Sequence, residues 1–252
     1  FTNKPFANIE FTLKDAEGNV VKTKMTEDGY RVAAEDGSET FAVDENGYAE
    51  FRYLSAGVYK LVENTPIGYI SDDEFSISLT DAHALSAPNK LTVENCPTGL
   101  KILKREASSG NPLSGAGFRI KIRDGLGFET LSFTKLENGS FFYDPNGTVM
   151  DMMVDGKGEI LIHGLPLGDL WIEESIVPEG YFPVSAARIE LKKEHTSTIP
   201  FDVTIKNSKY VKLGMDSDWW EFPALMLGIA LAVGGAVTFI VVKRKRTKKS
   251  EV

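Results

Sequence analysis

Along the first 210 residues, apolar and polar positions alternate in short runs separated by Gly, Asn and Asp turns, with no sustained 3.6-residue period. The pattern predicts an all-β chain. It changes at 224–242, where ALMLGIALAVGGAVTFIVV holds 19 residues without a charge. As a helix this run is about 28 Å long, close to the hydrocarbon thickness of a bilayer. Trp219, Trp220 and Phe222 lie at one edge and KRKRTKK follows at the other. Aromatic rings favour the headgroup region and positive charge stays inside, so one transmembrane helix is predicted with its C-terminus in the cytoplasm. Residues 211–223 read as a linker and 243–252 as a basic cytoplasmic tail.

An internal repeat sets the expected domain count. DENGYAEFRYLSAGVYKLVE (44–63) aligns without a gap on DGKGEILIHGLPLGDLWIEE (155–174). Asp44/Asp155, Gly47/Gly158, Leu54/Leu165, Gly57/Gly168 and Glu63/Glu174 are identical. PFANIEFTL (5–13) likewise matches PLSGAGFRI (112–120), and LTVENCP (91–97) matches VTIKNSK (203–209). The interval from the repeated Glu to the closing Asn is 32 residues in one copy and 33 in the other. Two modules of one topology are therefore expected at 1–97 and 98–210, the boundary falling at Pro97-Thr98-Gly99.

Charge and cysteine usage narrow the function. Six basic residues against Glu251 give the tail +5, which with the overall −8 leaves −13 on residues 1–242. An acidic body argues against nucleic-acid binding. Cys96 is the sole cysteine, so no internal disulfide braces the chain. Phe1 is not followed by a charged-then-apolar leader, so any signal peptide is expected upstream.

Strand parity singles out three polar residues, because side chains of equal parity share a face. In LKILKRE, Leu100, Ile102 and Lys104 fall together; in LWIEE, Leu170, Ile172 and Glu174; in FDVTIKN, Phe201, Val203, Ile205 and Asn207. Each apolar row thus ends in one polar group. A buried lone amine, acid or amide is costly unless the groups satisfy one another, which suggests that the three meet. A desolvated, neutral lysine is a good nucleophile, and a neighbouring acid can polarise the amide and shuttle its proton. A Lys104–Asn207 amide with release of ammonia would result. The parity pattern equally fits a Lys104 that snorkels at a strand end and pairs with Glu174 as an ordinary salt bridge.

The motifs resemble the Cna B-type, or SpaA-type, modules of Gram-positive pilins and adhesins. Lys104 followed by PLSGAGF (112–118) is similar to that family's lysine strand and "PLaGAeF" segment, and GDLWIEESIVPEGY (168–181) to its "GxYxxxExxAPxGY" segment. Asn207 stands on the closing strand, and the resemblance covers about residues 1–210. It implies two tandem transthyretin-like β-sandwiches and an internal isopeptide bond carried by Lys104, Glu174 and Asn207. In the first copy Glu63 and Asn95 occupy the catalytic and acceptor positions, but the lysine strand is missing. The lysine of the second copy lies eight residues before Pro112, whereas Lys4 directly precedes Pro5. The family also implies an LPxTG-like sortase signal before the membrane helix. VKLGMDSDWW (211–220) occupies that place without the proline and with Leu213 where threonine is expected, so retention by the helix is expected ahead of sortase transfer.

The expected function is that of a structural cell-surface protein, a pilin-like stalk or adhesin segment. The alternative is a surface module that binds a host matrix protein or glycan, with Phe141, Phe142 and Tyr143 either as contact residues or as hairpin packing. An enzyme acting on an external substrate is not expected. His83, His163 and His195 lack metal-ligand spacing, no GxSxG serine is present, and Glu173 and Glu174 face opposite sides of one strand. No metal or cofactor is expected.

Overall fold

The computed structural model describes residues 6–81 and 88–210. The predicted linker, membrane helix and tail lie outside the described residues, as does Lys4. Among the described residues all regular structure is β, as the period-2 alternation predicts.

The first copy contributes β1 (Glu10–Lys14), β2 (Thr23–Thr26), β3 (Gly29–Val32), β4 (Phe41–Ala42), β5 (Gly57–Glu63), β6 (Tyr69–Ile70), β7 (Phe75–Leu79) and β8 (Cys96–Pro97). Four form a sheet in the order β4-β1-β5-β7, and β2 pairs with β3 in a separate hairpin. Ile9, Phe11, Leu13, Tyr30 and Phe41 make the core, with Phe51, Leu54, Leu61 and Val93 packed against it. The repeated Gly47 and Gly158 have φ of 71° and 66° in tight turns, a region costly to residues with a Cβ, which accounts for their identity in the two copies.

The second copy contributes β9 (Gly99–Glu106), β10 (Gly117–Asp124), β11 (Gly127–Thr130), β12 (Phe133–Lys135), β13 (Phe141–Tyr143), β14 (Met152–Met153), β15 (Glu159–His163), β16 (Gly168–Ile176), β17 (Ala187–Leu191) and β18 (Phe201–Asn207). One sheet runs β11-β10-β16-β17 with β14 on β10; the other runs β12-β13-β15-β9-β18. β9 and β18 are adjacent and parallel, so the opening and closing strands of this copy lie side by side. Leu100, Ile102, Ile160, Ile162 and Ile205 of one sheet and Phe118, Ile120, Leu170, Ile172 and Ile189 of the other form a single core, the signature of a sandwich.

One feature departs from the sequence expectations. Only Cys96 and Pro97 of the segment LTVENCP are strand; residues 91–95 are not. Their counterpart β18 exists by pairing with β9, and no described strand of the first copy plays the part of β9. Of the aromatic candidates 141–143, Phe141 is buried in the core, Tyr143 is partly buried against it, and Phe142 packs over Gly164 and beside Tyr69.

The copies are joined by more than the peptide chain. Thr98 N–H donates to the Gly68 carbonyl at 2.9 Å, and Ser197 N–H donates to the Pro97 carbonyl at 2.7 Å. Lys193 also forms an ion pair with Asp73. At Gly68, with φ of 84°, a Cβ would lie 1.9 Å from the Gly164 carbonyl oxygen, so this close approach requires glycine.

His163, at the end of β15, is 3% exposed, and burial pushes its pKa down from 6.5 to about 4. A group depressed on folding contributes stability that is fully present above its unfolded value and is lost as pH falls through the folded one. Between pH 6.5 and about 4 the imidazole should therefore destabilise the fold by on the order of 3 kcal/mol. Denaturant melts of the wild type and of His163→Leu over pH 7 to 4 should diverge by that amount, the variant holding its stability better in acid.

Candidate functional site

The three polar residues predicted from parity come together inside the second copy. Along β9, Leu100, Ile102 and Lys104 have no exposed surface, while Lys101, Leu103 and Arg105 on the other parity are partly exposed. On β18, Ile205 and Asn207 are buried. Glu174 comes from β16 in the facing sheet, continuing the row Leu170 and Ile172. The side chains of Lys104 and Glu174 are both 0% exposed. Glu173 points the other way and pairs with Lys121 at 2.6 Å near the surface.

Within the group every polar atom finds a partner. Lys104 Nζ lies 2.6 Å from Glu174 Oε1 and donates to Asn207 Oδ1. Asn207 Nδ2 donates to Glu174 Oε1 at 2.8 Å and to Oε2 at 2.9 Å. The backbone N–H of Val184 adds a bond to Oε2 at 3.3 Å. Burial pushes the Lys104 amine below the ordinary lysine value, against the opposing pull of the Glu174 carboxylate. The amine thus touches the carbonyl of the amide it would attack, while one carboxylate holds both the amine and the amide NH2.

Two contributors were not assigned from the sequence. Phe118, fully buried on β10, sits in register opposite Glu174 and presents its ring 5.3 Å from Lys104 Nζ. Its place in the PLSGAGF segment, on the parity of Ile120, marks it as inward but carries no hint of the amine beside it. The Val184 N–H comes from a loop and leaves no side-chain signal.

In the first copy Glu63, at the end of β5, accepts a hydrogen bond from Asn95 Nδ2 at 2.8 Å. Asn95 Oδ1 is buried without a hydrogen-bond partner. Glu63 and Asn95 therefore adopt the carboxylate–amide half of the arrangement, with no amine beside them among the described residues.

The sequence matches the SpaA prealbumin-like fold domain over residues 1–91 and 98–215. No curated protein sequence matches the chain. Among solved structures it is similar to a Streptococcal ancillary pilin (18% identity, TM-score 0.37, 82% of this chain and 59% of that one). The shaft pilin SpaA of Lactobacillus rhamnosus GG is similar at 18% identity and TM-score 0.39, over 84% of this chain and 91% of that one. The minor pilin GBS52 of Streptococcus agalactiae is similar at 18% identity and TM-score 0.38, over 85% and 88% of the two chains. This chain spans less than two thirds of the ancillary pilin. The match over two successive segments, which together take in most of the sequence, places the chain in the SpaA prealbumin-like domain family.

Proposed function

We propose that the protein is a structural component of a Gram-positive cell surface, a pilin-like stalk or adhesin segment whose second module is closed by a Lys104–Asn207 isopeptide bond. Two tandem modules, 1–97 and 98–210, stand outside the cell. The apolar run 224–242 crosses the membrane, and the basic residues 243–252 lie in the cytoplasm. The observation that carries this reading is the wholly buried Lys104–Glu174–Asn207 group linking the opening and closing strands of one sandwich.

The chemistry follows from those contacts. The neutral Lys104 amine adds to Asn207 Cγ, the Nζ–Cγ bond forms, and the Cγ–Nδ2 bond breaks. Glu174 takes a proton from Nζ and delivers it to Nδ2, which leaves as ammonia. An ammonium group could not attack, so the dry setting that disfavours it supports the reaction. Joining β9 to β18 puts a covalent tie between the two ends of the module, where tension along a stalk would act.

Intact-mass measurement of the folded chain should fall one ammonia below the calculated value, and digestion should yield a linked peptide pair containing Lys104 and Asn207. A folded chain of full calculated mass would reduce the three residues to a buried salt bridge and an amide.

A further inference from the structure

The sheet β12-β13-β15-β9-β18 ends at β18, so one side of Phe201–Asn207 faces no strand among the described residues. In a parallel ladder, alternate residues turn their backbone groups to the same neighbour. Ala107 N–H donates to the Asn207 carbonyl at 2.9 Å, which puts Phe201, Val203, Ile205 and Asn207 on the β9 side and Asp202, Thr204 and Lys206 on the open side. Those three residues are exposed, and among the described residues their backbone groups meet no other segment. The open stretch is bounded at both ends. Beyond Asn207 the Ser208 carbonyl accepts from Phe182 N–H at 2.9 Å, and before Phe201 stands Pro200, which has no N–H.

What lies between is complementary to a reversed copy of itself. About Thr204, an antiparallel second β18 sets Asp202 opposite Lys206, Thr204 opposite Thr204, and Lys206 opposite Asp202. All three pairs join residues whose backbone groups point across the gap, so each exchanges both of its N–H···O bonds. Opposite charges and facing threonines are favourable cross-strand neighbours. A parallel partner in register would oppose Asp202 to Asp202 and Lys206 to Lys206. An antiparallel partner displaced by two residues would oppose one charge to Thr204 and the other to Pro200 or Ser208. The reversed register sets Pro200 of one copy opposite Ser208 of the other, whose carbonyl is already bonded. It also brings Ile199, 69% exposed, towards Phe182, 51% exposed. A lone charge guards a strand edge against pairing; here two opposite charges are spaced to accept one partner.

We propose that β18 is a homophilic contact: two copies of this chain join edge to edge, antiparallel about Thr204, into one continuous sheet. The two-fold relation closes on itself, so it makes a pair and not a fibre. It sends the C-terminal ends of the paired chains in opposite directions. In a chain anchored on its C-terminal side, the reading proposed above on which this step rests, the partner stands on a facing surface and the contact is adhesive. Many such pairs acting together between two surfaces need little affinity each.

Sedimentation of the full chain in detergent, from micromolar to near-millimolar concentration, should show a reversible monomer–dimer equilibrium. Asp202→Lys and Lys206→Asp should each weaken the dimer at least about tenfold, because like charges then meet at both charged pairs. An equimolar mixture of the two variants should form a mixed dimer, in which every lysine again meets an aspartate, and the double variant should pair as the wild type does. Phosphatidylcholine vesicles carrying either single variant should stay dispersed, and vesicles of the two should cluster when mixed. A chain that stays monomeric over this range would overturn the contact, as would a dimer that both single variants leave intact. A mixed dimer in detergent without clustering of mixed vesicles would overturn the facing arrangement alone. A chain that fails to insert into vesicles would remove the anchor and leave the sedimentation result to decide the pairing.

Discussion

Glu174→Ala should yield a folded chain of full calculated mass and a second module destabilised by several kcal/mol. Two effects act together. Without the carboxylate, nothing moves the proton from Lys104 to the leaving nitrogen, so the tie between residues 103 apart in sequence does not form. By the chain-entropy estimate for cross-links, a loop of that length is worth about 4–5 kcal/mol. The substitution also leaves the Lys104 amine buried opposite no charge, which typically costs about 3–5 kcal/mol. The contributions share one site and will not simply add. They separate in the triple variant Lys104→Met, Glu174→Leu, Asn207→Leu, which also lacks the tie but buries neither a charge nor an unpaired amide, so its deficit from wild type in denaturant melts reads chiefly the cross-link. Glu173→Ala is the matched control. That side chain pairs with Lys121 on the opposite, partly exposed face, and its loss should leave the mass deficit intact and change stability by no more than about 1 kcal/mol.

What the residue pattern revealed and what it hid divide along the reach of the interaction. Parity within one strand is local, so Lys104, Glu174 and Asn207 could each be assigned an inward direction from their own neighbours. The repeat then gave the first copy its Glu63 and Asn95. Three features depend on partners distant in sequence and left no such trace. Phe118 faces Glu174 through the antiparallel register of β10 on β16, and a register between two strands is not written in the alternation of either one. Residues 91–95 carry the alternation of a strand yet form none, because a strand exists only with a neighbour and no described strand pairs with them. Phe141 and Phe142 looked equally suited to a binding face or a packed hairpin; the packing they make comes from the parallel pairing of β13 with β15 and the close approach to Gly164, both distant in sequence.

Phe118→Ala should both loosen the module and slow its closure, and the second effect should be reversible by pH. The ring is fully buried, in register opposite Glu174 and 5.3 Å from Lys104 Nζ. Truncating a buried phenylalanine typically costs about 3–5 kcal/mol through lost transfer energy and the cavity left behind. Here the cavity opens beside an amine whose pKa is held down by burial. Water admitted to that space would favour the ammonium form, so a smaller fraction of Lys104 would be the neutral nucleophile at pH 7. Chain prepared unfolded and unlinked, then refolded, should lose ammonia more slowly in Phe118→Ala than in wild type when followed by intact mass. Raising the pH toward the ordinary lysine value of 10.5 should narrow the difference, since the amine then deprotonates in both. Phe118→Leu, which keeps an apolar cover over the amine, should stay close to the wild-type rate at pH 7. A rate deficit in Phe118→Ala that persists unchanged at high pH would mean that the ring acts by aligning the strands and not by keeping the amine dry.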